Sequence, residues 1–142
     1  MKQEILKRLQ NTYCRISRSK IEGVGVVAIR EIPQNTNIFF GVPIQADRRF
    51  KLSELKKLPK GALKMIDDFL CVEKDGTVII PEYGLNGLDI SYFLNCSKKP
   101  NVKTIDGGAN FVTLKKIKPG EELTAAYNTY ENIASSQWQK II

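Results

Sequence analysis

Histidine is absent from the 142 residues. That single gap removes Ser-His-Asp and Cys-His nucleophile systems and every His-based metal site. Cysteine is scarce. Cys14, Cys71 and Cys96 make an odd set of 3 with no CxxC pair, so neither a disulfide framework nor a structural zinc site is expected. No metal is expected. Long apolar runs are also missing. None approaches the ~20 residues that span a bilayer, so no membrane partner is expected. The first residues, Met-Lys-Gln-Glu-Ile-Leu-Lys-Arg, lack the apolar stretch of a secretory signal. The expected location is cytoplasmic or nuclear, or outside the cell by a route that needs no such signal. There is no repeat, linker or low-complexity tract.

What is present suits one folded unit. Hydrophobic residues make up 42%, enough for a core without staples, and the length fits a single domain over 1–142. Lys and Arg number 22 against 15 Asp and Glu, a formal charge of +7. Such an excess fits an acidic or nucleic-acid-associated partner, and it equally fits a solvated basic surface. The lysine pairs Lys56-Lys57, Lys98-Lys99 and Lys115-Lys116 are spread along the chain, with no RNA-binding aromatic motif between them.

The patterning predicts a mostly-β domain with a small helical insert. Residues 2–10 carry Ile5, Leu6 and Leu9 among charges and predict a short amphipathic helix. Strands are expected from Tyr13, over Gly23–Ile29, over Asn37–Pro43, over Phe111–Ile117 and from Glu122 to Tyr127. A hairpin is expected over Cys71–Ile80, turning at Asp75-Gly76. Ser53 reads as an N-cap for a short helix ending at Pro59, and Leu63, Ile66, Phe69 and Leu70 recur at helical spacing. These place the insert at about 50–70. One helical turn is expected over Asp89–Leu94, and a short helix over Ile133–Ile142 with Trp138.

Three separated pieces stand out: Glu22-Gly-Val-Gly-Val-Val-Ala, Tyr92-Phe-Leu-Asn-Cys-Ser-Lys-Lys-Pro-Asn101, and Gly120-Glu-Glu-Leu-Thr-Ala-Ala-Tyr127. Each alone reads as ordinary turn or loop chemistry. Together and in this order they resemble the SET-domain protein methyltransferases. That family has a Gly-x-Gly near the start, an Asn-His-Ser-Cys-x-Pro-Asn loop late, and Glu-Leu-Thr-x-x-Tyr near the end. The resemblance runs from about Tyr13 to Tyr130. It implies a β-clip-like SET fold, with a core at about 13–130, a tail at 131–142 and a C-terminal pseudoknot, a crossing rare among proteins.

The resemblance also implies a chemistry: methyl transfer from S-adenosylmethionine, yielding S-adenosylhomocysteine, to the side-chain amine of a lysine in a protein. Such an in-line displacement at a sulfonium methyl needs neither a metal nor a covalent protein intermediate. Positioning, water exclusion and electrostatics suffice. By resemblance, Glu22, Gly23, Val24 and Gly25 hold the cofactor's amino-acid end, the glycines permitting close backbone approach. Asn95 and Cys96 hold the adenine and part of the amino-acid moiety, and Tyr92 and Tyr127 complete the cofactor wall. Tyr127 is the expected catalytic residue, its hydroxyl orienting the amine and contacting the polarised methyl hydrogens. Phe93, Ala125 and Tyr130 are expected to line the lysine channel, with ordinary core packing as the other reading of Phe93 and Tyr130. Trp138 packs over the adenine or simply anchors the tail.

The sequence departs from the family at named positions. Cys96 stands where histidine is usual, Lys98 where cysteine is usual, and Tyr92 where many relatives have arginine. Ala125 is small where some relatives carry the Phe or Tyr that limits methylation. The family's cysteine-rich zinc tail is not among these residues, so the tail with Trp138, or a partner subunit, is expected to close the cofactor side. Three functional readings follow. The first is an active protein-lysine methyltransferase acting on a histone, a histone-like protein, a ribosomal protein or another protein with an accessible lysine. The second is a SET-fold binding module without turnover. The third is a basic protein associated with nucleic acid or ribosomes.

Overall fold

The computed structural model describes residues 1–39, 48–105 and 110–126. They divide into two compact units. One takes in 1–39, 93–105 and 110–126, and the other 48–92.

The first unit begins with helix α1 (Lys2–Gln10), followed by strands β1 (Cys14–Arg18) and β2 (Val24–Ala28). These two pair antiparallel from Cys14↔Ala28 to Arg18↔Val24. Ser19 N–H donates to Gly23 O at 3.0 Å and closes the turn between them. Late in the chain come β5 (Asn95–Cys96), β6 (Val102–Thr104), β7 (Phe111–Thr113) and β8 (Glu122–Ala125). The four-stranded sheet runs β1-β2-β8-β5, so a strand from the end of the chain lies between two earlier segments. The β5–β8 pairing is parallel, Asn95↔Thr124 and Cys96↔Ala125. It sets side by side two of the three sequence pieces.

The β-branched run Val24–Ala28 buries Val26 and Ala28, and β8 buries Leu123 beside Val26 in register. Ile32 and Ile117 exchange backbone hydrogen bonds at 2.8 and 2.9 Å, and Phe39 meets Phe111 edge to face at 6.0 Å. Thr113 is fully buried but satisfied, since its hydroxyl donates to Pro33 O at 2.7 Å and accepts from Thr36 N–H at 3.0 Å. Those bonds fix the turn in which Asn35 takes a left-handed φ of 61°.

The second unit holds β3 (Arg48–Lys51), α2 (Leu52–Leu55), α3 (Lys60–Phe69) and β4 (Thr77–Ile80). Leu52, Leu55, Leu63, Ile66, Leu70, Val72 and Val78 form its core, with Phe50, Leu88 and Tyr92 packed against it. The helical spacing of Leu63 and Ile66 thus has its expected use.

Several elements differ from expectation. Of the strand expected over Asn37–Pro43, Asn37 makes an isolated bridge to Val112 and Ile38 and Phe39 are buried in a turn, while residues 40–43 lie outside the described residues. Packing, not pairing, uses their apolar surface. Leu52 starts α2 with Lys51 as its N-cap, not Ser53, because the Glu54 carboxylate reaches back to accept the Lys51 N–H at 2.7 Å. The Asp75-Gly76 turn is present, but its first arm contributes one bridge, Val72↔Val78, and β4 takes β3 as its strand partner. The strand expected over Phe111–Ile117 ends at Thr113. Asp89–Leu94 contains the expected turn, a 3-10 helix over Ile90–Phe93. Tyr127, Tyr130, Trp138 and the tail helix lie outside the described residues, as does the passage beyond Ala126 that a pseudoknot requires.

Burial pushes the Cys14 thiol up to about 12 from an ordinary 9.0. The neutral thiol therefore stabilises the fold fully below about pH 9, and that contribution is lost as pH rises through 12. Cys96 is exposed. Brief alkylation of native protein at pH 8, read by mass spectrometry, is expected to modify Cys96 and spare Cys14 until the fold is opened.

Candidate functional site

Gly25 sits buried in β2, directly against two side chains from far along the chain. A Cβ at Gly25 would collide with Glu122 Oε1 and come within 3.0 Å of Asn95 Nδ2. Glycine is required here by space, because the room its side chain leaves is filled by protein. Gly23 is different. Its φ is +50° and a Cβ there would meet nothing within 4 Å among the described residues, so its glycine serves the left-handed turn.

A polar knot fills the space at Gly25. Ser19 Oγ donates to Glu122, 2.8 Å from Oε1 and 3.0 Å from Oε2. The same hydroxyl oxygen accepts the Ile21 and Glu22 N–H groups at 2.9 and 3.2 Å. Asn95 Nδ2 lies 2.9 Å from Glu122 Oε1, 3.0 Å from Ser19 Oγ, 3.1 Å from Val24 O and 3.3 Å from Glu22 O. Two amide hydrogens are thereby shared among four acceptors. The result ties the Glu22–Gly25 turn to both β5 and β8. Charge-assisted bonds of this kind contribute about 1.5–3 kcal/mol each. Among the described residues, no donor lies against Asn95 Oδ1, which remains an open acceptor beside the exposed Glu22–Val24 surface.

Asn101 forms a second clamp. It is buried, and its Oδ1 accepts the Thr124 N–H at 2.8 Å while its Nδ2 donates to Glu122 O at 2.8 Å. Its own N–H donates to Thr124 O at 3.1 Å. A side chain thus imitates a strand partner for β8 on the stretch that leads towards Tyr127.

Of the expected site residues, Glu22, Gly23, Val24, Gly25, Asn95 and Cys96 come together in the first unit. Cys96 is exposed and Ala125, its register partner, is buried. Phe93 is half-buried at the end of the 3-10 turn. Tyr92 packs against the Leu52–Val78 core of the second unit. Tyr127 and Tyr130 are outside the described residues. Ser19, Glu122 and Asn101 were not singled out from sequence. Glu122 and Asn101 stood inside the quoted motifs, whereas Ser19 had no signal beyond lying before a Gly-x-Gly turn.

Gly25→Ala is expected to displace Glu122 or Asn95 and cost about 1–3 kcal/mol, an overpacking penalty. Gly61→Ala, in α3 where a Cβ meets nothing within 4 Å, is expected to gain up to about 1 kcal/mol. Urea unfolding of both variants against wild type reads the opposite signs.

Among the described residues, no group of three His, Cys, Asp or Glu could hold a metal ion, and no helix is long and apolar enough to cross a membrane. No curated protein matches the chain by sequence. Among solved structures, a candidate histone methyltransferase of Plasmodium falciparum is similar in fold, with a TM-score of 0.52 and 18% identity, covering 82% of this chain and 93% of that one. A humanized mutant of the Chaetomium thermophilum Polycomb Repressive Complex 2, bound to the inhibitor GSK126, superposes with a TM-score of 0.53 at 17% identity. It covers 84% of this chain and 15% of that one. At these identities the likeness establishes fold. The SET-domain family model matches residues 23–128, which take in the second and third sequence pieces, the first but for Glu22, and most of the chain. The chain belongs to the SET-domain family.

Proposed function

We propose that this protein transfers a methyl group from S-adenosylmethionine to the side-chain amine of a lysine in a protein substrate. The observation that carries the reading is the knot at Gly25, which joins the Glu22–Gly25 turn to Asn95 on β5 and Glu122 on β8. The three pieces that carry the family resemblance meet there.

The residues present fit the cofactor. Among the described residues, Gly23 has open space where a side chain would project and Asn95 Oδ1 meets no donor, and Glu22, Val24 and Cys96 are exposed. Glu22–Gly25 would hold the amino-acid end, and Asn95 with Cys96 the adenine side. When bound, S-adenosylmethionine supplies an electrophilic methyl on a sulfonium. The protein's part is to position that group and the amine in line. The incoming lysine would release its proton to solvent before attack, an apolar channel beside a cationic group lowering its pKa. The neutral amine would then accept the methyl, with S-adenosylhomocysteine as the other product. Tyr127, two residues past Ala125 in the sequence, is assigned the catalytic role, its hydroxyl orienting the amine. Phe93, Ala125 and Tyr130 complete the lining, and Tyr92 serves the cofactor wall or the core it packs against.

One structural relative is described as a candidate histone methyltransferase, which makes histones and histone-like proteins the first acceptors to try. A second reading, a binding module without turnover, is favoured by one observation. Asn95 spends its amide on holding the fold, and Cys96 offers no imidazole at the adjacent position.

Tyr127→Phe is expected to reduce transfer of radiolabelled methyl to histones or to a lysate about 100-fold or more, with S-adenosylmethionine affinity by calorimetry nearly unchanged. Full turnover in the variant would remove Tyr127 from the chemistry. Wild-type binding of the cofactor without label in any acceptor would favour the binding module.

A further inference from the structure

The basic excess of this chain is not evenly placed. The described residues of the first unit carry 13 Lys and Arg against 5 Asp and Glu, while those of the second carry 8 against 7. Nearly all the net charge therefore sits on the unit that contains the Gly25 knot.

Within that unit, six lysines fall between positions 98 and 118: Lys98, Lys99, Lys103, Lys115, Lys116 and Lys118. All six are exposed. Two of their segments meet at Glu121. Its Oε1 accepts Lys115 Nζ at 3.0 Å and Asn101 Nδ2 at 3.4 Å, and its Oε2 accepts the Lys118 N–H at 3.1 Å. Leu114 N–H donates to Asn101 O at 2.8 Å, and Lys103 lies opposite Val112 in the β6–β7 ladder. The segments carrying Lys98, Lys99 and Lys103 and those carrying Lys115, Lys116 and Lys118 are thus hydrogen-bonded to one another. Burial pushes the Glu121 carboxyl up, but the Lys118 N–H and the Lys115 ammonium more than offset it and hold the group below the usual carboxylate range.

Neutralisation is incomplete. Glu121 takes Lys115 and Glu31 takes Lys116, whereas Glu122 is occupied by Ser19 and Asn95. Among the described residues, Lys98, Lys99, Lys103 and Lys118 have no acidic partner. An exposed run of ammonium groups spread over a surface, with no aromatic side chain among them for base stacking, suits a phosphate backbone rather than individual bases.

We infer that Lys98, Lys99, Lys103 and Lys118 of the first unit dock the phosphate backbone of duplex nucleic acid. The inference is independent of the proposed function, because binding is read on cofactor-free protein without turnover.

The test uses the full chain and a fluorescein-labelled 20-base-pair duplex DNA, with anisotropy titrations across a range of salt concentrations. A triple variant, Lys99→Ala/Lys103→Ala/Lys118→Ala, is compared with a control triple from the second unit, Lys56→Ala/Lys57→Ala/Lys74→Ala. Both remove three exposed lysines, so they change net charge equally. The first is expected to weaken binding about tenfold or more and to reduce the slope of log affinity against log salt by roughly 2–3. The control is expected to bind like wild type. Circular dichroism verifies that both variants fold. Equal loss in the two triples would mean that net charge alone drives association, and would overturn the inference. So would an unchanged slope in the first triple, or wild-type protein that fails to bind the duplex in low salt. Methyl transfer to a free histone-tail peptide, measured on the same preparations, reports separately on the proposed function.

Discussion

The carboxylate of Glu122 needs donors, and the fold is arranged around supplying them. Ser19 comes from the turn after β1, Asn95 from β5, and the space for both comes from the missing side chain of Gly25. A half-buried charge left without these partners would cost more than the bonds themselves return. The three segments are therefore interdependent. Moving the Glu22–Gly25 turn away would strip Glu122 of Ser19, and moving β5 would strip it of Asn95. Among the described residues, the open acceptor on Asn95 and the open space at Gly23 are positioned as consequences of the same interaction.

Asn101 extends this logic along β8. By bonding the backbone of Glu122 and Thr124, it holds the strand in place where no full ladder is available, since β5 contributes two residues. Rigid support on both sides of β8 is what a site needs when its reactive geometry must be held within a fraction of an ångström. It also explains why asparagine appears twice in one short loop. Each joins segments apart in sequence through the end of a short side chain, Asn95 by its amide nitrogen and Asn101 by both its nitrogen and its oxygen.

Much of this was legible in the chain. The β-branched run at Val24–Ala28, the helical spacing of Leu63 and Ile66 and the Asp75-Gly76 turn all announced their elements through local chemistry. Asn37–Phe39 misled because buried apolar residues look alike whether they pair or merely pack. Ser53 misled because a good capping residue was outdone by the Glu54 side chain reaching back to Lys51. The site motifs could be quoted, but Ser19 could not be found, because its importance depends on residues 76 and 103 positions away. Gly25 was expected to make room for a cofactor, and the structure fills that room with Glu122 and Asn95. Cooperation between distant side chains is set by topology, which local patterns do not encode.

The most direct test is amide hydrogen exchange with and without saturating S-adenosylhomocysteine, read by mass spectrometry on peptides covering the whole chain. The account predicts new protection in the peptides containing Glu22–Gly25 and Asn95–Cys96 together, because the knot makes them one surface. Protection confined to other segments, or binding that leaves both of these unchanged, would contradict it.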